Sequence, residues 1–212
     1  MKRAIPIVPT IVVVLAALLM VRLGFWQLGR LHEKEALLAR YAANAGAAAV
    51  PIQSLWPVRE GALYRRVTAS CPTVTKWTTE AGRTKAGVVG WRHIALCGTG
   101  AEGPGLAVDV GTAQSATPPG WSGGVVQGRM TWAPTGQPLI ARLFGAKGEE
   151  SPMIVADTPA PGLEPTAPPD PQAITNNHLS YAIQWFFFAG TALVIYGILL
   201  WRRRVAPPEP RR

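Results

Sequence analysis

The sequence predicts a membrane protein in which two transmembrane α-helices flank a β-rich (α+β) extracytoplasmic domain. Two observations support this fold class: an apolar segment near each end of the 212-residue chain, and a series of short β-branched runs between them. The second apolar segment, residues 179–201, has no charged residue. As a helix it would span roughly 34 Å, which exceeds the bilayer core of about 30 Å.

These patterns divide the chain into seven segments. We expect a cytoplasmic tail (1–4), a first transmembrane helix (5–23), a helical stalk (24–46), a β-rich periplasmic domain (47–157), a Pro-rich linker (158–175), a second transmembrane helix with its cap (176–201) and a basic cytoplasmic tail (202–212).

The first apolar segment also has the charge and hydropathy of a secretory signal peptide, because Lys2 and Arg3 precede it. However, Met20 to Leu23 is not a small-x-small cleavage site, and the helical pattern continues to a stop signal at Gly46. We therefore expect a retained anchor that extends into a stalk.

Charge predicts the orientation of the two helices. The tails outside the apolar segments contain seven basic residues and one acidic residue, whereas residues 22–178 contain 14 basic and 11 acidic residues. The positive-inside rule then places both termini in the cytoplasm and the centre in the periplasm of a bacterial inner membrane. The expected partner is the lipid bilayer and not nucleic acid, because the centre has no dense basic stripe.

The central region predicts a small antiparallel sheet, sandwich or barrel. Its β-branched runs are separated by Gly- and Pro-rich turns, and they cover residues 64–71, 88–97, 105–110, 124–132 and 153–155. The Pro-rich stretch that follows, residues 158–172, should be extended and stiff, and should return the chain to the membrane.

Cys71 and Cys97 are the two cysteines of the chain. In an oxidising compartment they could form a disulfide. Two free buried thiols and a soft-metal pair are the alternatives, and the spacing alone does not decide among them.

Common catalytic motifs are absent from the sequence, so we do not expect an enzyme. Of the three histidines, His32 is expected on the stalk surface and His93 in a strand, with a structural role. His178 follows Asn176 and Asn177, either of which could cap the second helix.

On that helix His178 shares a face with Tyr181, Ala182 and Trp185, at the boundary between water and lipid. Two interpretations remain open. His178 could simply satisfy polar groups at a helix start. Alternatively, its imidazole could bind haem iron, with Tyr181 and Trp185 beside the macrocycle and Arg22 or Arg30 neutralising the propionates.

Two sequence motifs resemble those of a known family. Gly24-Phe25-Trp26-Gln27-Leu28-Gly29-Arg30-Leu31-His32-Glu33-Lys34 resembles the G-x-W-Q-x-x-R-L-x-x-K motif of the Surfeit locus protein one family. Asn176-Asn177-His178-Leu179-Ser180-Tyr181-Ala182-Ile183-Gln184-Trp185-Phe186 resembles the closing N-N-H-L-x-Y-A-x-x-W-F motif of that family. The motifs lie at the two ends of the predicted hairpin.

The resemblance implies a non-enzymatic assembly factor for the haem–copper cytochrome c oxidase. Such a factor would receive haem a from haem a synthase and help to insert it into oxidase subunit I. His178 then becomes the candidate haem ligand. Motif positions without an assigned role are Gly24, Trp26, Gln27, Arg30, Asn176 and Asn177, although Gly24 suits close helix packing and Trp26 an interfacial depth.

The centre departs from the family pattern, because residues 107–112 lack the Arg and Trp of the usual R-G-W-V strand. Two other functions therefore stay open. One is a membrane-anchored periplasmic scaffold that holds oxidase subunits and binds no cofactor. The other is a copper metallochaperone that uses Cys71, Cys97 and Met130 or Met153 as soft ligands.

Overall fold

The computed structural model describes residues 6–98, 105–134 and 151–205. Most of both predicted cytoplasmic tails therefore lies outside the described residues. The chain forms two compact units. We call residues 1–36 with 175–212 the helix pair, and residues 37–174 the sheet domain.

The helix pair contains helix α1, Ile7–Gly46, up to Ala36, and the whole of helix α2, His178–Val205. Both helices are long and apolar enough to cross a membrane, with mean hydropathies of 2.4 and 1.9 over their most apolar windows. Only 11% and 6% of those windows are buried within the protein. A core helix of a soluble domain would be mostly buried, so these outward apolar surfaces suit a lipid environment.

The sheet domain contains seven strands in one sheet, with the order β1-β2-β6-β7-β5-β4-β3. Their bounds are Val50–Pro51 (β1), Arg66–Cys71 (β2), Thr73–Arg83 (β3), Val89–Gly98 (β4), Leu106–Ala113 (β5), Gly124–Trp132 (β6) and Pro152–Ala156 (β7). Five of the seven agree with predicted runs to within a few residues.

The expected antiparallel pairing holds for four of the six strand pairs, whereas β1 is parallel to β2 and β5 is parallel to β7. The second case follows from topology. Strand β7 is inserted between β5 and β6, which run in opposite directions, and it is antiparallel to β6. A strand inserted between two antiparallel strands must be parallel to one of them.

Strand β3 was missed because the sequence of this segment lacks an apolar alternation. It is rich in threonine and contains the charged Lys76 and Glu80 as well as Gly82, a residue type typical of turns. In the structure β3 is the last strand of the sheet and pairs only with β4 among the described strands. An edge strand with exposed side chains needs little apolar patterning, so its period-2 signal is weak.

A disulfide joins Cys71 at the end of β2 to Cys97 near the end of β4, with 5.2 Å between the Cα atoms. Three strands separate β2 from β4 in the sheet order. In a flat sheet four strand spacings would separate them by about 19 Å. The sheet must therefore curl until its two sides meet, and both sulfurs lie in the main apolar core that this curvature encloses.

The Pro-rich stretch is not extended throughout, because it turns at residues 161–162, and it is hydrogen-bonded to the sheet domain. Backbone bonds join Thr112 to Glu164 in both directions (2.8 and 2.9 Å), and the Ala160 N–H donates to Val110 O at 2.8 Å. The compact unit accordingly continues to Ile174. We call residues 158–167 the strap.

Asp109 fixes the strap to the sheet. Its carboxylate is completely buried and pairs with Arg92 Nε at 2.8 Å through one oxygen. The other oxygen accepts from the Gly111 N–H and from the hydroxyl of Thr166 in the strap. The sequence does not single out Asp109 as a buried carboxylate. An isolated carboxylate in a strand gives no sequence signal for the distant groups that satisfy it.

Candidate functional site

The two sequence motifs meet at one hydrogen bond within the helix pair. His178 is the first residue of α2, and its Nδ1 lies 2.7 Å from Oε1 of Gln27 in α1, although 151 positions separate them. With that amide oxygen as the acceptor, Nδ1 is the donor, and a neutral imidazole then has its lone pair on Nε2. This is the tautomer that a histidine needs in order to bind a metal through Nε2.

The face of α2 that bears His178 also packs within the helix pair. Ala182, four residues on, is 1% exposed, and Ala189 continues the same face at 3%. Residues four apart lie above one another on a helix, so the buried face of α2 and the orientation of His178 agree.

Gly24 lies where α1 packs tightly against α2. A Cβ on Gly24 would come within 2.6 Å of the Phe186 ring, which is too close for any real contact. The neighbouring Phe25 meets the same ring edge to face, with 5.3 Å between centroids. The missing side chain of Gly24 therefore allows Phe186 to approach α1, three residues from Gln27.

Asn176 and Asn177 differ from the predicted cap. Asn177 contributes its backbone carbonyl, which accepts from the Tyr181 N–H at 3.2 Å. The side-chain oxygen of Asn176 is buried and has no hydrogen-bond partner among the described residues, so it does not cap the helix. An unpaired buried carbonyl beside His178 is a polar group that is still able to accept a donor.

The supporting residues predicted around His178 lie in different surroundings. Tyr181 is half exposed, and Trp185 packs edge to face on Phe188 at 6.3 Å. Arg30 forms an exposed ion pair with Glu33 on its own helix. Trp26 is likewise exposed, which agrees with an interfacial position.

The other two histidines take the roles expected of them. His32 is exposed and lies 3.5 Å from Glu35. His93 is fully buried in β4, with Nε2 3.0 Å from the carbonyl oxygen of Ser115. No group of three or more His, Cys, Asp or Glu side chains able to hold a metal ion occurs in the part of the chain that the structure describes.

The structure is thus a pair of helices long and apolar enough to cross a membrane, joined by a histidine contact, with a small curled sheet between them in sequence. The model of the SURF1 family matches residues 14–190, which covers both motifs and the sheet domain. The chain belongs to the SURF1 family, and the resemblance seen in the two motifs is confirmed. No curated protein matches the chain. The SURF1 family is associated with cytochrome c oxidase assembly.

Proposed function

We propose that this protein is a non-enzymatic assembly factor that receives haem a from haem a synthase and helps to place it in oxidase subunit I. The family supports the assembly role. The observation that supports haem handling is the 2.7 Å contact between Gln27 and His178, since it connects both family motifs and leaves the Nε2 lone pair of His178 available.

The residues of the site fit a haem. A neutral imidazole is a common axial ligand of haem iron. Gln27 holds the imidazole in one tautomer and one orientation, and the small buried Ala182 keeps the adjacent turn of α2 narrow. A bound haem would supply the iron that accepts the lone pair of the His178 imidazole. Arg30 could neutralise a propionate only after exchanging its partner Glu33.

We further propose that the helix pair spans a bacterial inner membrane, with cytoplasmic termini and a periplasmic sheet domain. The apolar helices and the basic tails support this arrangement. The disulfide between Cys71 and Cys97 supports an oxidising compartment for the sheet domain. It also removes both thiolates as copper ligands, so the metallochaperone alternative loses its main donors.

The experiment is co-expression with the haem a synthesis enzymes, followed by purification of the full chain and measurement of bound haem a from its absorption spectrum. His178→Ala should lower the haem content at least tenfold while the protein remains in the membrane fraction. His32→Ala is the matched control, since it removes an exposed imidazole from α1, and it should keep the full haem content.

Variants of Gln27 test whether this residue orients the His178 imidazole through its hydrogen bond or only fills space beside it. Gln27→Leu should lower haem occupancy by less than His178→Ala. Gln27→Glu should restore it, because a carboxylate also accepts from Nδ1. Equal haem content in all of these variants would exclude His178 as the ligand. Co-purification with subunit I but without haem in any preparation would favour the scaffold.

A further inference from the structure

A cleft in the sheet domain carries more positive charge than the residues around it neutralise. Its volume is about 500 Å³. We call it the arginine cleft, and it is lined by Arg40, Asn44, Leu55, Arg59, Glu60, Gly61, Ala62 and Arg65. These residues come from the end of α1, the two short 3-10 turns that follow β1, and the residue before β2.

The single carboxylate in the lining is already engaged. Glu60 accepts from the hydroxyl of Tyr41 at 3.3 Å. Burial, together with the charge of Glu60, raises the pKa of Tyr41 to about 12, so this hydroxyl keeps its proton and remains a donor. Among the described residues, no carboxylate lies within 4.0 Å of Arg40, Arg59 or Arg65. The lining therefore has three guanidinium groups for one carboxylate.

One of these guanidinium groups is built into the domain and is incompletely satisfied. The Nε atom of Arg65 is buried and has no hydrogen-bond partner among the described residues. The backbone of Arg65 is fixed, because its carbonyl accepts from the Met130 N–H at 3.0 Å. A buried N–H of a charged group without an acceptor is costly, so Arg65 adds to the positive charge that the one carboxylate of the lining leaves unbalanced.

Hydrogen bonds from Asn44 hold the backbone of the lining in place. The side-chain amide of Asn44 donates to the carbonyls of Gly61 and Leu63, each at 2.9 Å. Arg40 lies over Gly61 so closely that a Cβ there would be 2.8 Å from its Nη1. The backbone that forms the floor of the cleft is therefore set by the folded domain, and Arg40 and Arg59 extend beside it as exposed side chains.

The chemistry of the lining indicates which class of ligand the cleft suits. The amides of Ala62 and Leu63 already donate to the carbonyls of Arg59 and Glu60, so the backbone here is unlike a phosphate-binding nest. Recognition falls to guanidinium groups, which bind carboxylates and phosphates alike through paired hydrogen bonds, so the apolar part of the lining is what favours a polypeptide over a free anion. The volume exceeds that of one ion, and Leu55 and Ala62 add apolar wall.

We propose that the arginine cleft binds an acidic segment of a partner polypeptide, in which carboxylates pair with the arginines and a neighbouring apolar side chain contacts Leu55. The inference rests on the proposed assembly function only in requiring a protein partner. It does not require haem binding, and His178 takes no part in it.

The test uses the full chain in nanodiscs of neutral lipid. The probe is a fluorescein-labelled, end-capped peptide in which glutamate and leucine alternate, and fluorescence anisotropy gives its Kd. Arg59→Gln and Arg40→Gln should each weaken binding about tenfold. Arg83→Gln is the charge-matched control, since Arg83 is exposed on β3, outside the cleft, and it should leave Kd unchanged. A peptide with glutamine in place of glutamate should not bind.

Two further measurements make the outcome decisive. Unchanged thermal midpoints in the arginine variants exclude misfolding as the cause of weaker binding. His178→Ala should bind the peptide like the parent chain, which separates this site from the haem proposal. The proposal is overturned if Arg83→Gln weakens binding as much as Arg59→Gln, or if inorganic phosphate displaces the peptide at equal concentration.

Discussion

The helix pair and the sheet domain use polar contacts in opposite ways. In the sheet domain, Asp109, Arg92 and Thr166 form a polar network centred on a completely buried carboxylate. In the helix pair, two side-chain hydrogen bonds connect α1 to α2: Thr10 to Tyr196 at 2.6 Å and Gln27 to His178 at 2.7 Å.

The proposed membrane location of the helix pair accounts for this difference. Apolar helices in lipid gain little from the hydrophobic effect against each other, so small residues and a few polar pairs fix their approach. A polar pair there is conspicuous in sequence and suited to a functional role. A polar network inside the sheet domain stabilises the fold, but its hydrogen-bond partners cannot be predicted from the sequence.

The largest expected effect comes from breaking the buried network. Asp109→Ala should destabilise the chain by about 3–5 kcal/mol, because it leaves the Arg92 guanidinium without its buried partner and releases Thr166 of the strap. The matched control is Asp157→Ala, which breaks an exposed ion pair with Arg66 and should cost about 1 kcal/mol or less. Chemical denaturation in detergent measures both. Equal losses would contradict the contrast between the two pairs.

Removing the disulfide should have the next largest effect. The double change Cys71→Ala with Cys97→Ala opens a loop of 26 residues and should cost about 3 kcal/mol. Alanine avoids placing an unpaired hydroxyl in the core. Hydrogen exchange should show the loss of protection mainly in β2 and β4. Unchanged haem content would indicate that the destabilisation is confined to the sheet domain. A uniform loss in both units would argue that the two are coupled.

In the helix pair, Gly24→Ala should destabilise the packing by about 1–3 kcal/mol, since the new Cβ overlaps the Phe186 ring. Gly29→Ala is the control, because nothing lies within 4 Å of its added Cβ and alanine favours the helix. The readout is the yield of cross-linking between cysteines introduced on α1 and α2. Adding Phe186→Leu to Gly24→Ala should recover the yield. Failure to recover it would show that the overlap with the Phe186 ring is not the cause of the lower yield.

The smallest effect concerns Tyr41. Its pKa is raised in the folded chain by burial and by Glu60, so folding favours the protonated phenol. This contribution is complete below pH 10 and is lost as the pH rises towards 12. The parent chain should lose stability over that window on the order of 2 kcal/mol more than Tyr41→Phe. Parallel slopes for the two proteins would show that Tyr41 ionises alike in both states.

The sequence by itself determined the elements whose signals are local. Long apolar runs predict α1 and α2, and β-branched runs bounded by turns predict five of the seven strands, because these signals depend on neighbouring residues only. The two motifs likewise identified the family and pointed to His178 and Gln27 as residues of interest.

Only the tertiary structure decided which distant groups meet. The sheet order, the curl that brings Cys71 to Cys97, the partners of Asp109 and the bond from Gln27 to His178 all join residues far apart in the chain. No local propensity encodes such pairings, because each is the joint result of strand insertion, sheet curvature and helix packing. The edge strand β3 was not predicted for a related reason. Its extended conformation depends on pairing with β4 and not on its own composition.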